Sequence, residues 1–183
     1  MTRPDDGGRS SWLDWDPARL RRDTQELALY APDLAFRRDA NFEFGAWGGT
    51  VPIWPFERPA PERLRTLVPE PLEIMLAYPP AYPVVSPRVY PVSPAPELME
   101  MSESIWHVAP AGTLCLLQSE GFWDPRSSIT DIIAKCAGWH IEYALMRLQL
   151  IERMTERGIA EDPTLDALID RVTSEASEDQ SNG

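Results

Sequence analysis

The sequence predicts an α+β fold with an antiparallel sheet, and three observations carry the prediction. Strand signals are grouped in one stretch, from Asn41 to Pro91, instead of alternating with helices. A helix start stands before that stretch, at Asp16-Pro17. A helix-periodic run stands after it, from Ile129. The expected order is an N-terminal helix, a meander of about four short strands, a long irregular loop that carries a candidate active site, and C-terminal helices.

Residues 1–11 are rich in Gly, Ser and charge and read as a flexible leader. Asp16 is a good N-cap and Pro17 fits the first helical position. The helix is expected to bury Leu20, Thr24, Leu27 and Ala28 and to stop before Pro32. Phe42-Glu43-Phe44 alternates like a strand, with Trp47-Gly48-Gly49 as the hairpin signal. Val51, Ile53 and Phe56 read as a strand broken by prolines, which cannot donate to a ladder. Leu72 to Tyr78 is the clearest strand, and Ser86 to Pro91 a short one between prolines. Ser93 to Ser104 reads as a mobile acidic loop. Ser128 caps the next helix, with Asp131 three residues on. Its inward face is Ile129, Ile132, Ile133, Cys136, His140, Tyr143 and Ala144, and Gly158 is expected to end it after about Arg157. Pro163 opens a last short helix through Leu165, Leu168 and Ile169. The acidic end, residues 174–183, reads as a disordered tail, which leaves 12–173 as one domain.

Composition narrows the function classes. Of 183 residues, 43% are hydrophobic, which is a folding composition. Nineteen prolines are about twice the usual share and crowd between Pro52 and Pro96. A net charge of −12 argues against nucleic-acid partners and anionic membranes, since both are held mainly by Lys and Arg. The first residues lack an apolar signal stretch, and no apolar run approaches 18 residues. These features read as a cytoplasmic chain with both thiols reduced.

Cys115 is the candidate nucleophile. It lies in an apolar run after Gly112, and Trp123-Asp124-Pro125 follows eight residues on. A strand cysteine used only for packing is the competing reading, and for Cys136, on the apolar helix face, that reading is preferred. Trp106, Gly112, Trp123 and Pro125 would shape the loop around Cys115. His107 would order that loop through its backbone or support an oxyanion. His140 would contribute only if its helix face borders the cysteine, and otherwise is a core histidine. Asp124 would guide an incoming amine or serve as a turn residue. Two His and two Cys at these spacings make no metal site. There is no Gly-rich phosphate loop, and no cofactor is expected.

Three stretches resemble the ubiquitin-conjugating (E2) enzymes. Tyr82-Pro83-Val84-Val85-Ser86-Pro87-Arg88-Val89-Tyr90 is similar to the family's Tyr-Pro-x-x-x-Pro-x-Val opening with an aromatic after it. Trp106-His107, then Gly112-Thr113-Leu114-Cys115-Leu116, is similar to aromatic-His-Pro-Asn followed by Gly-x-Ile-Cys-Leu. Trp123-Asp124-Pro125 and the helix after it are similar to Trp-Ser-Pro and the family's second helix. The stretches cover residues 78 to 141, about a third of the chain.

The resemblance implies a UBC-like fold and a thioester carried on Cys115, with His107 as the loop-ordering residue. It implies an E1-like activating enzyme as donor, because a thiol can exchange onto an acyl group that is already activated. The chain departs from the pattern at His107-Val108-Ala109, where the family has His-Pro-Asn, and the segment up to the cysteine is shorter by two. Another group must then support the oxyanion, or the activity is weak. The Gly-x-Leu-Cys-Leu form and the long helix with Trp139-His140-Ile141-Glu142-Tyr143 resemble divergent bacterial members. Those occur in CBASS antiphage operons and in bacterial ubiquitin-like conjugation operons. In the first setting the target would be a CD-NTase-type nucleotidyltransferase, and in the second the cargo would be a ubiquitin-like modifier. Two other readings stand beside this one: an E2-fold adaptor without chemistry, and a small thiol hydrolase using Cys115 and His107.

Overall fold

The computed structural model describes residues 11–117 and 123–171. The expected leader over residues 1–10 and the acidic tail over 174–183 lie outside the described residues. Ser11, read as the end of the leader, is instead buried as the N-cap of a short helix, α1 (Trp12–Trp15). Its Oγ accepts from the Leu13 amide, and Asp14 returns the bond to the Ser11 amide. Trp12, buried under the sheet, ties this turn down through an indole bond to the Phe44 carbonyl.

Helix α2 (Pro17–Tyr30) starts as the sequence predicts: Asp16 accepts from the Arg19 amide and Pro17 takes the first position. Its buried stripe differs from the expected one. Arg19, Asp23 and Leu27 point inward, while Thr24 and Ala28 are exposed. The polar pair is tolerated because it is neutralised inside. Arg19 Nε lies 2.9 Å from Asp23 Oδ1 and donates to the Tyr82 hydroxyl at 2.7 Å. Tyr82 and Tyr78 both donate to Asp23 Oδ2, at 2.6 and 2.8 Å, and the Trp47 indole donates to Tyr78. The remaining Arg19 nitrogens hold the carbonyls of Pro125 and Ser127. Burial pushes the Asp23 carboxyl up, against the pull of both hydroxyls and Arg19.

Four strands, β1 (Leu34–Arg37), β2 (Ala46–Thr50), β3 (Glu73–Ala77) and β4 (Arg88–Ser93), form one antiparallel sheet in chain order. The class and strand number match the expectation. The first hairpin is inverted relative to it. The expected strand Phe42-Glu43-Phe44 is the connection, and the expected turn Trp47-Gly48-Gly49 is in β2. Asp39 explains the swap, because its carboxylate and carbonyl capture the Asn41 and Phe42 amides and start the turn there. Gly49 suits its strand position: φ is +138°, and a Cβ would lie 2.2 Å from the Asp33 carbonyl oxygen. The expected strand over Val51, Ile53 and Phe56 is irregular chain leading to a short helix, α3 (Leu64–Leu67). Prolines 52, 55, 59 and 61 remove the donors a ladder would need.

Helix α4 (Ile129–Arg147) crosses beneath the sheet. Ser128 caps it, and Glu26 of α2, not Asp131, completes the cap by accepting from Ser128 Oγ and the Ile129 amide. Ile132, Ile133, Cys136 and Tyr143 are buried with Leu27, Ile74, Leu76 and Val89. Its opposite side, Ile141 and Leu145, joins a second cluster with Ile53, Leu64, Leu67, Ile159 and Ile169. Buried on both sides, α4 is the central element. It ends at Arg147, ten residues before the expected end. Gln149 takes a left-handed φ of 56°, and the chain turns back so that Met154 and Ile159 are buried. Local propensity loses here to Glu142, a buried carboxylate that accepts from the amides of Thr155 and Ile159 and from the Thr155 hydroxyl. The last short helix is present as a 3₁₀ turn over Pro163–Leu165 and α5 (Asp166–Ile169).

Candidate functional site

The residues after β4 build the site. The long loop read as mobile carries two 3₁₀ turns, Glu100–Ser102 and Ser104–Trp106. Glu100 fixes the first: its carboxylate accepts from Tyr143, from Arg147 and from the Glu97 amide. Trp106 fixes the second. Its carbonyl accepts from the Trp139 indole, and its ring meets Tyr143 edge to face, while Trp139 stacks on Tyr143.

His107 follows with a left-handed backbone, φ 51° and ψ 38°, a conformation that costs a branched residue more than it costs histidine. Its amide donates to the Ser104 carbonyl, and its own carbonyl accepts from the Cys115 amide at 2.7 Å. Between them runs a small hairpin. Val108 bridges Leu114, Ala109 donates to Thr113, and Gly112, at φ +78°, donates back to Ala109 across Pro110. The Leu114 amide bonds the Val89 carbonyl, which hangs the hairpin on β4. The Gly112 turn and the His107 backbone therefore set where Cys115 stands.

Cys115 is exposed, whereas Cys136 is fully buried. Cys115 lies where two grooves meet, and His107 lines both. One groove, a narrow one with a cavity volume of about 30 Å³, is walled by Lys135, Trp139 and Glu142 of α4 and by Thr155 and Gly158 of the returning chain. The other runs along the loop at Met101, Ile105 and Pro110. Partial burial pushes the Cys115 thiol up and the His107 imidazole down, so the site favours neutral forms of both.

Trp106 sits behind the loop, as described, and His140 is in the core of α4, 7% exposed. Neither lines a groove that Cys115 lines. Trp123-Asp124-Pro125 is held on the Arg19 side of the fold. The Trp123 indole donates to the Pro83 carbonyl, the Asp124 carboxylate accepts from the Arg126 amide, and the Pro125 carbonyl accepts from Arg19. These contacts give Asp124 a turn geometry. The wall from Met154 to Ala160, with Lys135 and Glu142, was not singled out from the sequence. Among the described residues, no group of three or more His, Cys, Asp or Glu is placed to hold a metal ion, and no helix is long and apolar enough to cross a membrane.

The fold and site define an α+β protein with an antiparallel meander and an exposed cysteine at the junction of two grooves. No family model, curated protein or solved structure matches the chain.

Two expected results follow from this geometry. In the native state a thiol reagent modifies Cys115 alone, and Cys136 reacts only through unfolding. Because the Cys115 thiol is pushed up, its rate climbs about tenfold per pH unit through pH 8. Equal rates for the two thiols would place Cys115 in the core.

The second concerns His140, whose imidazole burial pushes down to about 4. The unfolded chain takes up that proton near pH 6.5 and the folded chain does not. Stability therefore falls as pH drops from about 6.5 to about 4, by about 3 kcal/mol in total. Asp23 and Glu142, pushed up by burial, act in the opposite sense, so the comparison is between the parent chain and His140→Gln. The variant is expected to lose the acid-side slope in urea titrations. An unchanged slope would show that His140 charges without cost in the folded state.

Proposed function

We propose that the chain is an acyl carrier of the ubiquitin-conjugating (E2) type. It takes an activated acyl group onto Cys115 as a thioester and passes it to an amine. The observation that carries this reading is the exposed Cys115 thiol, on a hairpin hung from the fourth strand of a meander, where two grooves converge. Its raised pKa suits this chemistry. A carrier receives an acyl group already activated as a thioester, so exchange asks for access and proceeds through a small thiolate fraction, and the high pKa spares the exposed thiol from other electrophiles. His107 would act as the positioning residue, holding the Cys115 amide through its carbonyl. The donor would be an E1-like activating enzyme, and the setting antiphage defence. The acceptor would be a target such as a CD-NTase-type nucleotidyltransferase, or the cargo a ubiquitin-like modifier.

One observation favours a second reading. His107 and Cys115 share both grooves, as a thiol hydrolase would require. Against it stands the raised thiol, since hydrolases of that kind lower it with an ionised histidine. Incubation with an E1-like enzyme, its modifier and ATP separates these readings. A carrier gives an adduct that a thiol reductant removes, a hydrolase turns over without accumulating one, and an adaptor forms none.

A further inference from the structure

The sequence holds one lysine, Lys135, against sixteen arginines. That single side-chain amine lies on α4 and lines the same groove as Cys115. Helical spacing explains how. Lys135, Trp139 and Glu142 stand four and then three residues apart, so they share the face turned to the groove. Lys135 is largely covered, with 16% of its side chain exposed. Its Nζ is 2.6 Å from Glu161 Oε1, on the returning chain that forms the opposite wall. A thioester held near an amine passes its acyl group to it as a stable amide, and this chain's one lysine lines the same groove as its one exposed thiol.

We propose that Lys135 is an internal acceptor: an acyl group loaded on Cys115 moves to Lys135 Nζ when no external amine takes it. The inference rests on the carrier reading above and adds a modification site to it. Lys135 loses one proton to Glu161, and the neutral amine attacks the acyl carbon. The C–N bond forms, the C–S bond breaks, and the second nitrogen proton passes to the departing Cys115 thiolate. The products are an amide on Lys135, a free thiol on Cys115 and one proton released to solvent. The acylated amine loses its charge and its pairing with Glu161 and occupies the groove, so the transfer shuts the carrier.

The test uses the full chain and a short peptide bearing a carboxy-terminal alkyl thioester, which exchanges onto an exposed thiol without an activating enzyme. Intact mass with and without dithiothreitol reads the adduct type. Trypsin reads the site, because an acylated Lys135 is no longer cut. The parent chain is expected to gain a thiol-resistant adduct at Lys135. Cys115→Ala is expected to lose it. Lys135→Arg, which keeps a cation beside Glu161, is expected to hold a thiol-labile adduct on Cys115 for roughly ten times longer than the parent. A Cys115 adduct of equal lifetime in parent and Lys135→Arg, with Lys135 unmodified, would overturn the internal transfer and leave the carrier reading intact. Equal Lys135 acylation in Cys115→Ala would overturn it too, as direct acylation. Failure of Cys115 to exchange at all would overturn both.

Discussion

Replacing Asp23 with alanine is expected to destabilise the fold by about 3–5 kcal/mol, read as a fall in the urea midpoint. Asp23 is fully buried and serves three groups at once: Arg19, Tyr78 and Tyr82. Without it the Arg19 guanidinium, also buried, is an unpaired charge, and two hydroxyl protons lose their acceptor. Arg19 cannot escape to solvent cheaply, since it also holds the Pro125 and Ser127 carbonyls that lead into α4. Asp23→Asn, which keeps the shape but removes the charge, is expected to retain much of the loss. The double change Arg19→Met with Asp23→Leu is expected to recover part of it by removing both charges, though the tyrosine hydroxyls stay unsatisfied. A loss below about 1 kcal/mol for Asp23→Ala would mean that water replaces the carboxylate.

That network was not legible in the sequence, and the reason is physical. Apolar periodicity in α2 marked Leu20, Thr24, Leu27 and Ala28, because a charged pair four residues apart normally faces water. Only Tyr78 and Tyr82, distant in sequence, turn Arg19 and Asp23 inward. Features set by local chemistry were legible. The Asp16-Pro17 start, the Ser128 cap, the alternating β3 and the buried face of α4 all depend on residues within a few positions. Features set by distant contacts were missed. The segment from Leu148 to Arg157 has helix-forming residues, yet Glu142 and the burial of Met154 and Ile159 draw it off the helix. That segment is the second wall of the groove, so the wall was missed with it.

At the site itself, the Gly112 turn and the cysteine were readable. The left-handed backbone at His107 was not, since nothing local demands it; it follows from closing the hairpin over the 3₁₀ turn. Trp123, expected to shape the loop around the cysteine, bonds through its indole to the Pro83 carbonyl in the loop before β4, a partner distant in sequence. Lys135 was visible in the composition as a single letter, and only the groove gives it meaning.

The second large effect concerns the chemistry. Cys115→Ala is expected to abolish the thiol-labile adduct outright, because no other exposed thiol stands among the described residues and Cys136 is sealed in the core. Cys115→Ser is expected to abolish it or to leave an oxyester that resists thiols, and Cys136→Ser to leave it unchanged. His107→Ala is expected to lower the yield by less than loss of the nucleophile does, since alanine keeps the carbonyl that holds the Cys115 amide and the sulfur stays in place, while the left-handed backbone at 107 becomes less favourable. The decisive measurement is intact mass of the chain after incubation with an E1-like activating enzyme, its modifier and ATP, taken with and without dithiothreitol. The carrier account predicts one added modifier on the parent chain, removed by dithiothreitol before transfer and absent from Cys115→Ala. A thiol-labile adduct that persists in Cys115→Ala, or a parent chain that gains no adduct from an activating enzyme already loaded with modifier, would contradict it.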